Sequence, residues 1–116
     1  MDERILKWLF DIDFALKEIT SFFDGKEKNF FEYQKNIMLK RAVERNLEII
    51  GEAVNRILKK DPSFNNKIKD AKAIISLRNQ VIHAYDNISD EIIWSIIINH
   101  LPNLKIEIQE LIKQYE

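Results

Sequence analysis

Within residues 74–88, Ile-Ile-Ser-Leu-Arg-Asn-Gln-Val-Ile-His-Ala-Tyr-Asp-Asn-Ile, three side chains have types suited to chemistry and positions that packing does not explain: Arg78, His83 and Tyr85. At about 100° per residue, Ile74, Leu77 and Val81 form one apolar helical stripe, which Ile75 and Ile82 widen. Arg78 falls inside that stripe, so a guanidinium that is never deprotonated would lie over apolar surface. Such a charge needs a partner, a ligand or a wet interface. His83 follows a different stripe with Ser76, Asn79 and Gln80, and Asn79, one turn earlier, is placed to bond the imidazole or whatever the imidazole touches. An arginine grips a phosphate bidentately and a histidine titrates near neutrality. Together they suit cleavage of RNA without a metal.

Arg78 and His83 are five residues apart, about 140° around an ideal helix, so within one chain they do not point at a common spot. Two geometries bring them to one phosphate. The helix can end near His83 and turn the ring, or a second copy can face the first across a twofold axis and gather two arginines and two histidines in one cleft. Tyr85 returns to nearly the Arg78 face. From spacing alone an alternative stands equally well: Arg78 anchors a dimer by pairing with an acidic residue such as Glu48 or Glu52, and His83 caps a helix.

The chain has 116 residues, which suits a single domain over 1–116 that buries roughly two-thirds of its unfolded surface. Hydrophobic residues at 46% and charged ones at 32% are globular values, and two Gly with two Pro leave room for few turns, so a few long helices are expected. The absence of cysteine excludes disulfides and thiolate metal sites and agrees with a reducing cytoplasm. The start, Met-Asp-Glu-Arg-Ile-Leu-Lys-Trp, has no apolar run of the secretory kind, and no segment is long and apolar enough to span a membrane. A net charge of −1 provides no global attraction for nucleic acid, so any RNA contact is a local cleft. Two histidines seventeen residues apart, no paired carboxylates near His83 except Asp86, and no Gly-rich phosphate loop give no metal or cofactor signature.

The elements that must position these side chains read as an all-α bundle of four or five helices. The first spans 2–23, with Ile5, Leu9, Ile12, Leu16, Ile19 and Phe23 on one stripe, and Asp24-Gly25 ends it. The second is expected from Phe30 to Lys60, its apolar face made by Phe30, Tyr33, Ile37, Leu47, Ile50, Val54 and Ile57. In its middle, Arg41, Glu44, Arg45, Glu48 and Glu52 recur at spacings of three and four, as a solvated ion-pair face or as support for the Arg78 cleft through Arg41 or Arg45. Gly51 permits close helix approach. Asp61-Pro62-Ser63 opens a loop over 61–66, and a third helix runs from Lys67 to His83 or Tyr85. Ser89 caps a last helix from Asp90 to Tyr115 that Pro102 kinks or splits, and His100 beside that break reads as structural.

Arg78-Asn79-Gln80-Val81-Ile82-His83-Ala84-Tyr85 matches the Arg-x4-His-x-Tyr signature of the HEPN superfamily, and the chain resembles in particular the HepT-like toxins, once catalogued as a domain of unknown function. The resemblance takes in Arg41–Asn55 and the Ile-Ile-Trp after Asp86, and it extends over nearly the whole chain. It implies an antiparallel helical homodimer with a composite cleft, acting as the toxin of a type VII-like toxin–antitoxin system. His83 and Arg78, with Asn79, would cleave mRNA or tRNA without divalent metal, leaving a 2′,3′-cyclic phosphate and a 5′-hydroxyl. Tyr85 would be the position at which a minimal nucleotidyltransferase antitoxin attaches AMP, placing negative charge where the RNA phosphate binds. The competing class is a non-catalytic, nucleotide-binding or scaffolding partner of such a nucleotidyltransferase.

Overall fold

A computed structural model of the protein describes residues 2–83 and 89–116, with 81–83 as backbone alone. The described residues form six α-helices and one 3-10 helix, and none is in a strand. The first helix, α1, runs Glu3–Phe22. Asp2 caps it by accepting from the Arg4 amide at 2.8 Å, and Gly25, at φ +69°, takes the left-handed conformation that glycine alone adopts without penalty just beyond its end. Its stripe is the expected one: Ile5, Leu9, Ile12, Leu16 and Ile19 are all buried.

The expected helix over 30–60 is two helices, α2 (Phe30–Lys35) and α3 (Ile37–Lys60). Asn36 breaks them apart. Its backbone is extended, its amide donates to the Tyr33 carbonyl at 3.2 Å, and its side chain accepts from the Leu39 amide at 3.0 Å to start α3. Asn29 does the same for α2 through the Glu32 amide at 3.1 Å. The break turns Ile37 out to 67% exposure, whereas Tyr33, Leu47, Ile50, Val54 and Ile57 keep their expected places in the core.

Residues 61–66 are more ordered than a loop. Asp61 accepts from the Ser63 amide at 3.0 Å and from its hydroxyl at 2.7 Å, which starts a 3-10 helix over Pro62–Asn66, and Phe64 seats that turn in the core at 1% exposure. The next helix, α4, is Ala71–His83, beginning four residues later than the periodicity suggests. The last segment is split as expected, into α5 (Asp90–Asn99) and α6 (Leu101–Tyr115). Pro102 lies in the first turn of α6, where a missing N–H leaves no bond unmade, so the break falls at His100. His100 Nδ1 lies 3.0 Å from an Asp70 carboxylate oxygen, which ties this junction to the approach of α4. None of these helices is long and apolar enough to cross a membrane.

The central helix is α3, which packs against α1 on one side and α4 on the other, while α6 lies on α1 and α5. The start of α5 is fixed by three features: the Ser89 cap on the Ile92 amide at 3.1 Å, a half-buried Lys40–Asp90 ion pair at 3.2 Å, and Trp94 among Phe23, Phe30 and Tyr33. The Tyr33 hydroxyl is buried there and, among the described residues, has no hydrogen-bond partner. Burial first, then the Glu44 and Asp90 carboxylates, push it well above its ordinary pKa of 10.0. The folded chain keeps this proton where the unfolded chain releases it, so the stability of the fold is unaffected by this group's titration below pH 10.0 and declines as the pH rises beyond that value. Thermal unfolding of Tyr33→Phe is therefore expected to show equal or higher stability at neutral pH, by up to about 1 kcal/mol, and a smaller loss above pH 10.0 than the wild type. A marked loss at neutral pH would mean that the hydroxyl is bonded.

Candidate active site

The site is built where α4 crosses α3. Gly51 makes the crossing possible: a Cβ added there would lie 2.8 Å from Arg78 Cγ and 3.2 Å from the Ile74 carbonyl oxygen, and closer still to Arg78 Cβ. Ile74 and Leu77 are buried in the seam, at 3% and 4% exposure, and they bring the stem of Arg78 over the glycine with them. Gly51 is thus the close-approach position read from the sequence, and Arg78 is what approaches it.

The side chain of Arg78 is largely covered, at 21% exposure. Its Nη2 donates to a Glu52 carboxylate oxygen, its Nη1 donates to the Asn79 side-chain oxygen at 2.9 Å, and its buried Nε has no partner among the described residues. The partner that an arginine in an apolar stripe requires is therefore Glu52 of the same chain, and the pairing needs no second copy. The other Glu52 oxygen accepts from Arg56 Nε at 3.0 Å, so one carboxylate bridges two arginines. At 36% exposure for Glu52, such pairs contribute about 0–1 kcal/mol each to stability. They fix direction more than they hold the fold.

A cleft of about 350 Å³ opens beside this bridge, with Trp8 and Ala53 in its apolar wall and Arg45, Arg56 and Arg78 among its polar lining. Arg45 thus reaches the cleft, paired with Glu48 at 3.6 Å. Arg41 does not line it, and pairs with Glu44 at 3.0 Å. Asn79 is exposed and bonds Arg78. The backbone of His83 closes α4, so continuous helix separates it from Arg78 by about 140° in azimuth and about 7.5 Å along the axis. Its imidazole, and all of Tyr85, lie outside the described atoms.

Arg56 is the cleft residue that sequence reasoning passed over. A signal was present: Gly51 marks the crossing, Glu52 follows it, and Arg56 stands four residues after Glu52, the spacing at which helical side chains meet.

The chain is similar to several curated proteins. The "Putative RNase MJ0127" of Methanocaldococcus jannaschii is 40% identical over 111 residues, covering 94% of this chain and 88% of that protein. The "Putative RNase MJ1380" of the same organism is 34% identical over 94% of this chain and 98% of its own length. The "Putative RNase TTE0752" of Caldanaerobacter subterraneus is 34% identical over 74% of this chain and 76% of its own. No solved structure gives a significant match. Residues 12–111 match the family described as "Ribonuclease HepT-like", and the chain belongs to that family of HepT-like ribonucleases.

Proposed function

We propose that the protein is a metal-independent endoribonuclease, the toxin half of a two-component system, that works as a homodimer with Arg78 and His83 as its catalytic residues. His83 takes the proton from a ribose 2′-hydroxyl, and the oxygen attacks the adjacent phosphorus. Arg78 stabilises charge on the equatorial oxygens of the five-coordinate state, while the His83 of a second copy protonates the departing 5′-oxygen. The phosphorus–5′-oxygen bond breaks, leaving a 2′,3′-cyclic phosphate and a 5′-hydroxyl. Asn79, bonded to Arg78, helps direct it.

The observation that carries this reading is the Gly51 crossing, which holds an arginine of the Arg-x4-His-x-Tyr pattern in the wall of a cleft, its two terminal nitrogens each making one hydrogen bond and so keeping N–H groups for a phosphate. Membership in the HepT-like family supports it. The dimer is supported by the separation of Arg78 and His83 around one helix, which a twofold pairing overcomes, and by large apolar side chains left open, Phe14 at 70% and Met38 at 84% exposure. Tyr85 is the proposed site of AMP attachment by a nucleotidyltransferase antitoxin, which would add phosphate charge near Arg78 and shut the cleft.

The test is expression in a bacterial host without the partner, with total RNA run on a denaturing gel. Wild type and Tyr85→Phe are expected to arrest growth with fragmented RNA, and His83→Ala to do neither. If all three are harmless and the RNA stays whole, the cleft serves binding or scaffolding instead.

A further inference from the structure

We infer that Arg56 is a second phosphate-binding residue, joined to Arg78 by Glu52 into a two-arginine clamp that takes consecutive phosphates of a single-stranded RNA. The inference rests on the ribonuclease reading and adds to it a residue and a binding direction along α3.

Three observations lead here. First, Glu52 gives one oxygen to each arginine, so neither guanidinium is held bidentately and each keeps free N–H groups for a phosphate. Arg56 commits only its Nε, and its terminal nitrogens make no hydrogen bond among the described residues. Second, two cations share a single anion, which leaves an excess positive charge at the bridge of a chain whose net charge is −1. The other carboxylates of the cleft have cations of their own: Glu48 has Arg45 at 3.6 Å, and Asp11 has Lys7 at 2.8 Å. The bridge is therefore where the cleft attracts a phosphate. Third, Arg56 is well exposed, at 56%, and lines the same cleft as Arg78, so a strand with one phosphate on Arg78 passes Arg56 without displacing any part of the fold. Glu52 is in this scheme a positioning residue. It ties together the ends of two long side chains, that of Arg78, whose stem lies over Gly51, and that of Arg56, which stands on the exposed face of α3.

The experiment is the salt dependence of binding of a 2′-O-methyl single-stranded RNA oligonucleotide, which lacks the attacking hydroxyl, to the full chain and its variants, with melting temperatures measured alongside. On a single strand, each phosphate that the protein neutralises adds about 0.7 to the steepness of the logarithmic salt dependence. Arg56→Gln is expected to reduce the steepness by about that amount at an unchanged melting temperature, and Arg56→Lys, which keeps the charge, to restore it. Glu52→Gln is expected to bind the oligonucleotide at least as tightly as the wild type, because a negative charge is gone, and yet to cleave unmodified RNA with a kcat reduced about tenfold or more, because Arg78 is no longer aimed. A merely structural carboxylate would lower the melting temperature and not split kcat from KM in this way. An unchanged slope in Arg56→Gln, or an unchanged kcat in Glu52→Gln, in a wild type that cleaves RNA overturns the clamp and leaves the ribonuclease reading standing. A wild type that neither binds nor cleaves RNA overturns both.

Discussion

Gly51→Ala is expected to destabilise the protein and to impair any activity that depends on Arg78. In most exposed helix interiors this substitution stabilises, since alanine is favoured over glycine by about 1 kcal/mol. At Gly51 the new methyl group meets the Cβ and Cγ of Arg78 and the carbonyl oxygen of Ile74, none of which is the free end of a flexible side chain. Relief requires α4 to move away from α3, opening the seam that buries Ile74 and Leu77. Overpacking of this kind costs about 1–3 kcal/mol, which outweighs the propensity gain. The movement also pulls Arg78 from Glu52, so RNA cleavage should fall even at temperatures where the variant is folded. Thermal unfolding and a cleavage assay read the two effects separately. A raised melting temperature would show that the helices do not meet closely at this glycine.

The second large effect is expected at His83. If its imidazole is the general base, His83→Ala removes a contribution of typically 10²–10⁴-fold to the rate. The residual rate should remain sensitive to Arg78, because charge stabilisation and proton transfer are separate contributions. Binding of an uncleavable oligonucleotide should change little, since the proposed phosphate-binding residues, Arg56 and Arg78, line the cleft between α3 and α4. A His83→Ala protein that binds and cleaves like the wild type would place the base elsewhere.

The sequence was most informative where one physical signal ruled alone. The stripe of α1 is uninterrupted from Ile5 to Ile19 and is closed by Asp24-Gly25, and the helix ends where that pattern says. Gly51 was legible for the same reason, since a glycine in a long helix has few structural uses. Its partner was not. Which residue of α4 lies over it depends on how two helices cross, and no local pattern encodes that. Asn36 was missed because Tyr33, Ile37 and the following apolar residues keep a helical period through it, while the break depends on an amide side chain capturing the Leu39 N–H. The same competition between side chain and backbone started the 3-10 helix at Asp61. Arg41 and Arg45 lie only about 40° apart on one helix, so spacing could not choose between them, and the cleft takes Arg45. The number of α-helices among the described residues, six against the four or five expected, follows from the Asn36 break and from the split before Pro102.

The most direct measurement is cleavage of RNA by the purified chain in excess chelator, with analysis of the fragment ends. Fragments carrying 2′,3′-cyclic phosphate and 5′-hydroxyl ends, formed by the wild type and lost in His83→Ala, are the predicted result. Intact RNA, or ends carrying 3′-hydroxyl and 5′-phosphate, would contradict a metal-independent cleavage driven by His83 and Arg78.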